Sequence, residues 1–268
     1  MYKEFNPYYS PNKSKYKQLS PDEWDKQFKQ EMLLKKGEQY REELLPPSLK
    51  LKKGDIILCE KFDGPPFLRI RHAMIVLEDS NSQLYISGNK FIVLPAAECG
   101  SGGGCQETER RFKLLKSNDK TSNKYIHIIR YKNRETADNA SIIAKNWTEN
   151  KLIKFPSIKE IPTAFARAGI FPCFKKKGDR KSGQKYINNA DKNKIPIRKS
   201  GENVNMFCSK FVMGVWMSAI GNTHGWDYID KCLPIKPSNC SPGNLKLLPI
   251  KYPDCWEKIA RIKIATDW

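Results

Sequence analysis

Residues 205–220 read NMFCSKFVMGVWMSAI, and the place of one cysteine in this run decides how the rest of the chain is understood. Phe207, Phe211, Val215 and Ala219 recur at helical spacing, with Val212 and Trp216 beside them, so the run predicts a helix with one strongly apolar face. Asn203 and Asn205 stand where an N-cap belongs, and Gly221 suits the position just beyond the last turn. Cys208 then falls in the first turn. Unpaired N–H groups there carry partial positive charge, which stabilises a thiolate, and a thiolate attacks acyl carbon readily. The same N–H groups suit an oxyanion. A cysteine at a helix start is more often plain core filling, so a catalytic assignment needs a partner.

Upstream of this helix the chain breaks into short β-prone runs separated by turn residues: 55–59 (DIILC), 73–77 (AMIVL), 83–87 (QLYIS), 91–94 (FIVL) and 125–131 (YIHIIRY), with a last one at 260–264. Their close spacing predicts an antiparallel meander, and with the helices an α+β fold. Residues 99–120 read as a Gly-rich, then charged, connection. A second helix is expected over 136–150, with Ala137, Ala140, Ile143, Ala144 and Trp147 on one face. Residues 1–48 read as an extension: an irregular tail, then a charged helix from Ser20 to about Leu45. Ser20 and Glu23 form a capping-box pattern, Pro21 suits the first turn, and Pro46-Pro47 stops the helix. Residues 49–268 read as the main domain. Within it, 173–200 is a loop rich in Lys and Arg, too polar for a core and expected to be disordered.

The chain has 268 residues, with 48 Lys and Arg against 29 Asp and Glu, so its net charge of +19 favours an anionic partner such as a cell wall or a membrane face. A plain solvated basic surface accounts for the charge equally well. The 173–200 loop could grip nucleic-acid phosphates, but no zinc-finger, helix-turn-helix or RNA-binding signature accompanies it, which argues against that partner. The eight cysteines show no CxxC spacing and the three histidines do not flank them, so neither a metal nor an organic cofactor is expected. Cys99 and Cys105 bracket Ser-Gly-Gly-Gly, which is flexible enough to let them meet as a disulfide. The polar N-terminus lacks the apolar core of a signal peptide, which fits a cytoplasmic enzyme or one exported by a dedicated secretion system.

His72 is the candidate partner of Cys208. It opens the apolar run 73–77, where a rigid strand would hold its ring at a cleft, as a general base requires. His127, inside a strand, reads as structural and turned away from the core, His224 as a loop residue, and Asp55 as a turn former.

Four blocks stand in order: Gly54-Asp55-Ile56-Ile57-Leu58, Arg71-His72-Ala73-Met74-Ile75-Val76, Phe207-Cys208-Ser209-Lys210-Phe211-Val212, and Cys240-Ser241-Pro242-Gly243-Asn244-Leu245. Together they resemble the circularly permuted NlpC/P60 (YiiX/YebB-like) group of papain-fold cysteine hydrolases, over about residues 50–250. The resemblance implies a papain-like antiparallel sheet packed on the helix that carries the nucleophile, with the usual order of Cys and His exchanged. It implies Cys208 as nucleophile and His72 as base. It implies a polar residue orienting the imidazole from the strand after the His strand, where Ser87 falls, with Asn89 next on the same face. Lys210 stands where the family often has an acid; a cation there favours thiolate. The implied substrates are amides, including cell-wall peptides, or lipid acyl esters. Nucleic-acid binding without catalysis, and an inactive scaffold used for docking, remain as alternatives.

Overall fold

A computed structural model describes residues 50–61, 70–80, 83–86, 89–100, 104–116, 119–149, 153–154, 204–233 and 240–265. The N-terminal extension 1–48 and the basic loop 173–200 lie outside the described residues. Nine strands and five helices are described: β1 Ile56–Lys61, β2 Ile70–Val76, β3 Gln83–Ile86, β4 Asn89–Gly100, β5 Gly104–Lys113, β6 Lys124–Tyr131, α1 Arg134–Thr148, β7 Ile153–Lys154, β8 Val204–Asn205, α2 Cys208–His224, α3 Trp226–Cys232, α4 Pro242–Lys246, α5 Leu248–Lys251 and β9 Trp256–Ile264.

Seven strands form one antiparallel sheet in the order β3-β4-β2-β1-β6-β9, with β5 paired along β4. The fold class is α+β, but the strands do not form a simple meander. The long β4 pairs β3 through its first residues and β2 through Ala96, Ala97 and Glu98, while β6 returns to the free edge of β1. The sheet curls until its far ends meet. Leu114 bridges Ile264, Leu115 N–H donates to the Lys263 carbonyl, and Ala265 N–H donates to that of Lys113.

Alternation along the strands sorts side chains onto two faces. Ile57, Cys59, Met74, Val76, Leu94, Ala96, Ile126 and Ile262 fill the inside of the curl. Ile56, Leu58, Ala73, Ile75, Ala97 and Ile129 face the helices, where they meet Trp147 of α1 and Phe211, Val212 and Val215 of α2. A knot of rings closes this second core: Tyr131, Trp216 and Trp256 lie with centroids 4.8–5.2 Å apart. At its border Asp55 does fix a turn, accepting from Lys52 N–H while both of its oxygens receive Arg130.

Several expectations are corrected. Residues 99–120 contain β5, ten residues long, whose Glu107, Glu109 and Arg111 are exposed; a strand with one wet face carries charge on it and loses the apolar look of a buried run. The helix of Cys208 begins at the cysteine itself, with Phe207 as N-cap and no side-chain cap bond. It runs one turn past Gly221, which is buried inside it, and stops at Gly225, whose φ of 78° is the left-handed conformation that favours glycine. His224 is therefore the last helical residue, not part of a loop, and its ring bonds the Thr136 hydroxyl. His127 faces inward, 1% exposed, because it pairs with Leu58 on the helix side of the sheet.

Gly54, with φ 86°, brings the chain against α1 so tightly that a Cβ there would lie 2.5 Å from the Ala137 carbonyl oxygen. Gly54→Ala is expected to cost about 3 kcal/mol, from the positive φ and the backbone clash together. Urea denaturation checks this; a loss under about 0.5 kcal/mol, the range of neutral surface changes, would refute it.

Candidate active site

Cys208 is the first residue of α2, and the first turn of that helix is tied down by its neighbours. The Ser209 hydroxyl donates to the Cys240 carbonyl at 2.6 Å, and just beyond Cys240 the Ser241/Asn244 capping box starts α4. The block 240–245 thus serves as a buckle for the first turn of α2. Phe207 contributes no capping oxygen, so no side chain of the N-cap occupies the first-turn N–H groups.

His72 lies within β2, two residues in from its start, opposite Cys59 of β1. Its ring lies beside Cys208, close enough for the sulfur to act on its protonation, and Nε2 lies 2.8 Å from Glu98 Oε2. With Nε2 committed to the carboxylate, Nδ1 is the nitrogen available to the sulfur. Glu98 in turn receives Nε and Nη2 of Arg110, one on each oxygen. The sequence therefore folds into a relay of Cys208, His72, Glu98 and Arg110, drawn from α2, β2, β4 and β5. Cys208 is 6% exposed and Glu98 1%, so the relay runs from just beneath the surface into the sheet.

The electrostatics follow from these contacts. Burial works to lower the His72 pKa, but its close contacts with Cys208 and Glu98 outweigh it and raise it to about 10. Burial works to raise Glu98, and His72 and Arg110 outweigh it, holding the carboxyl down at about 2. At neutral pH the ring is an imidazolium between a sulfur and a carboxylate. Burial pushes the neighbouring Cys59 and Cys240 thiols up, so both stay protonated.

The structure brings Cys208 and His72 together and sets Glu98 against the ring. Ser87 lies outside the described residues. Asn89 opens β4 opposite Ile86, nine residues from Glu98, or about 30 Å at strand rise. The expectation assumed that the strand following β2 in sequence lies beside it. In the fold β4 takes that place and presents Glu98. A carboxylate inside the apolar run FIVLPAAEC was the available signal. Nothing in the sequence marked Arg110.

A second buried polar cluster lies on the helix side of the sheet. Glu60 accepts from His127 at 2.6 Å and from Lys246 at 2.7 Å, with Arg261 at 3.6 Å. Burial opposes ionisation of Glu60, yet His127, Lys246 and Arg261 hold it well below the usual carboxylate range; His127 itself, buried and beside Lys246, is lowered to about 3. This cluster fastens α4 to β1 and holds a neutral histidine. Among the described residues no three His, Cys, Asp or Glu side chains converge to hold a metal ion, and no helix is long and apolar enough to cross a membrane.

No family model matches this chain, and the curated proteins and solved structures yield no match to it either.

Proposed function

We propose that this chain is a papain-like cysteine hydrolase of the permuted NlpC/P60 arrangement, cleaving an amide bond through Cys208, His72 and Glu98. One observation carries the reading: a first-turn helical cysteine lies beside a histidine whose ring nitrogen is held by a buried carboxylate. A nucleophile, a proton carrier and an orienting group are then linked in one line.

The chemistry follows from where the proton sits. His72 enters the cycle protonated, so its first role is acid, not base. The Cys208 sulfur attacks the acyl carbon as thiolate, and the N–H groups of the first α2 turn receive the oxyanion. The imidazolium then gives its proton to the departing nitrogen, leaving a thioester on Cys208. Neutral His72 next takes a proton from water, whose oxygen attacks the thioester; the sulfur leaves as thiolate beside the restored imidazolium, and the acid product gives its proton to solvent. Glu98 holds the ring in line throughout, and Arg110 holds Glu98.

The retained proton favours amides over esters. An amine leaves poorly unless protonated, whereas an alkoxide needs less help. A peptide on an anionic surface, such as a cell wall, suits the net charge of +19. Lipid acyl-ester hydrolysis or acyl transfer is the second reading and uses the same relay.

Competitive alkylation tests the proposal. Iodoacetamide at neutral pH is expected to label Cys208 at least about tenfold faster than the other seven cysteines, because this sulfur combines an imidazolium beside it with a place in the first turn of a helix. Uniform labelling would sink the hydrolase reading. Parallel assays on peptide amides and on acyl esters then separate the two substrate classes.

A further inference from the structure

Cys99 and Cys105 face each other directly across the β4–β5 hairpin. Directly opposed residues of an antiparallel pair lie about 4.5–5.5 Å apart at Cα, inside the span of about 4.4–6.8 Å that a disulfide bridges. Both are free thiols, 0% and 7% exposed, and the two side chains lie close enough for Cys99 to act on the ionisation of Cys105. The pair also reaches the active site. Cys99 Sγ donates to the Met206 carbonyl at 2.9 Å, two residues before Cys208, and Lys210, two residues after it, lies close enough for its charge to act on Cys105.

We propose that Cys99 and Cys105 form a reversible disulfide that lowers the reactivity of Cys208; the effect on Cys208 rests on the hydrolase reading, whereas the disulfide does not. The loop closed is among the shortest, so the gain in stability from constraining the unfolded chain is at the small end. What the bond changes is the donor. Once oxidised, Cys99 has no S–H to give, and the buried Met206 carbonyl at the entrance to α2 loses its partner.

The oxidant is a small-molecule disulfide such as oxidised glutathione. Cys105, the more exposed thiol, attacks it as thiolate and displaces one glutathione. Cys99 then attacks the Cys105 sulfur of the mixed disulfide and displaces the second. Two protein thiols and one glutathione disulfide become one protein disulfide and two glutathione thiols, which take up the two protons. Burial, and then the nearness of Cys99, pushes the Cys105 thiol up, so exchange is slow at neutral pH and is best followed to equilibrium.

The full chain is equilibrated in glutathione buffers of graded redox ratio, its disulfides are mapped by mass spectrometry, and the alkylation rate of Cys208 is measured at each ratio. The expected result is a 99–105 linkage whose population tracks a fall of about tenfold in the Cys208 rate, the scale of one lost buried hydrogen bond. Cys105→Ser, or Cys105→Ala should the hydroxyl disturb the hairpin, is expected to abolish that fall. Cys255→Ser removes another neighbouring thiol pair among the described residues, Cys232 with Cys255, and is expected to leave it intact. No 99–105 linkage, a linkage that leaves the Cys208 rate unchanged, or an equal fall in the Cys105 variants through glutathione on Cys208 itself would each overturn the proposal. Slow labelling of Cys208 in the fully reduced protein would instead count against the hydrolase reading, with the mapped linkage still deciding the disulfide.

Discussion

Cys208→Ala is expected to abolish turnover, by on the order of 10⁴-fold or more, while the protein stays folded. The size follows from the line of groups. With the sulfur gone no covalent intermediate forms, and His72 and Glu98 are left with water as their only nucleophile. Stability should fall by no more than about 1–2 kcal/mol, since only one sulfur leaves a site near the surface. Cys208→Ser is the sharper control. Its hydroxyl fills the space but does not surrender its proton to the ring at neutral pH, so activity stays low even with the geometry kept. Turnover on the best peptide or ester substrate, measured beside thermal melting, checks both variants. Activity within tenfold of the parent in Cys208→Ala, with an unchanged melting curve, would end the assignment and leave a basic α+β protein with an unusual buried ion pair.

What could be read in advance was what depends on local pattern. The apolar runs became β1, β2, β4 and β6 because alternation and β-branching act within a few residues, and the helix of Cys208 was legible from its spacing. Cys208 and His72 could be named because each sits at a recognisable place in its own element. Glu98 could not, because its role depends on which strand lies beside β2, and strand order is a non-local property. Ser87 and Asn89 were the candidates that chain order offered; pairing order offered Glu98. The same reason hid Arg110, which reaches Glu98 from a strand whose charged outer face made it look like a loop. His72 was expected as a base, yet its charge state is fixed by neighbours 26 and 136 residues away, which no local pattern carries.

Glu98→Gln should therefore separate what the carboxylate does by shape from what it does by charge. The amide keeps one oxygen toward His72 and nearly the same volume, but it leaves Arg110 and the imidazolium without a counter-charge. Activity is expected to fall about 10²-fold, mostly in kcat, as for a group that acts through a general acid–base. The His72 titration, followed by its ring proton resonances, should move down from about 10 toward the ordinary 6.5. Stability should respond with a definite sign. The lowered pKa of Glu98 adds stability that is complete above its ordinary 4.5 and is lost as pH falls through about 2. The raised pKa of His72 adds stability that is complete below 6.5 and is lost as pH rises through about 10. The two overlap fully only between about 4.5 and 6.5, so the parent protein's contribution from this pair peaks there, and Glu98→Gln should flatten both limbs. Glu98→Ala goes further, costing about 3–5 kcal/mol, because it strands two cations around an empty space. A Gln variant with parental kcat and an unmoved His72 titration would show that the carboxylate braces the sheet and has no part in holding the proton.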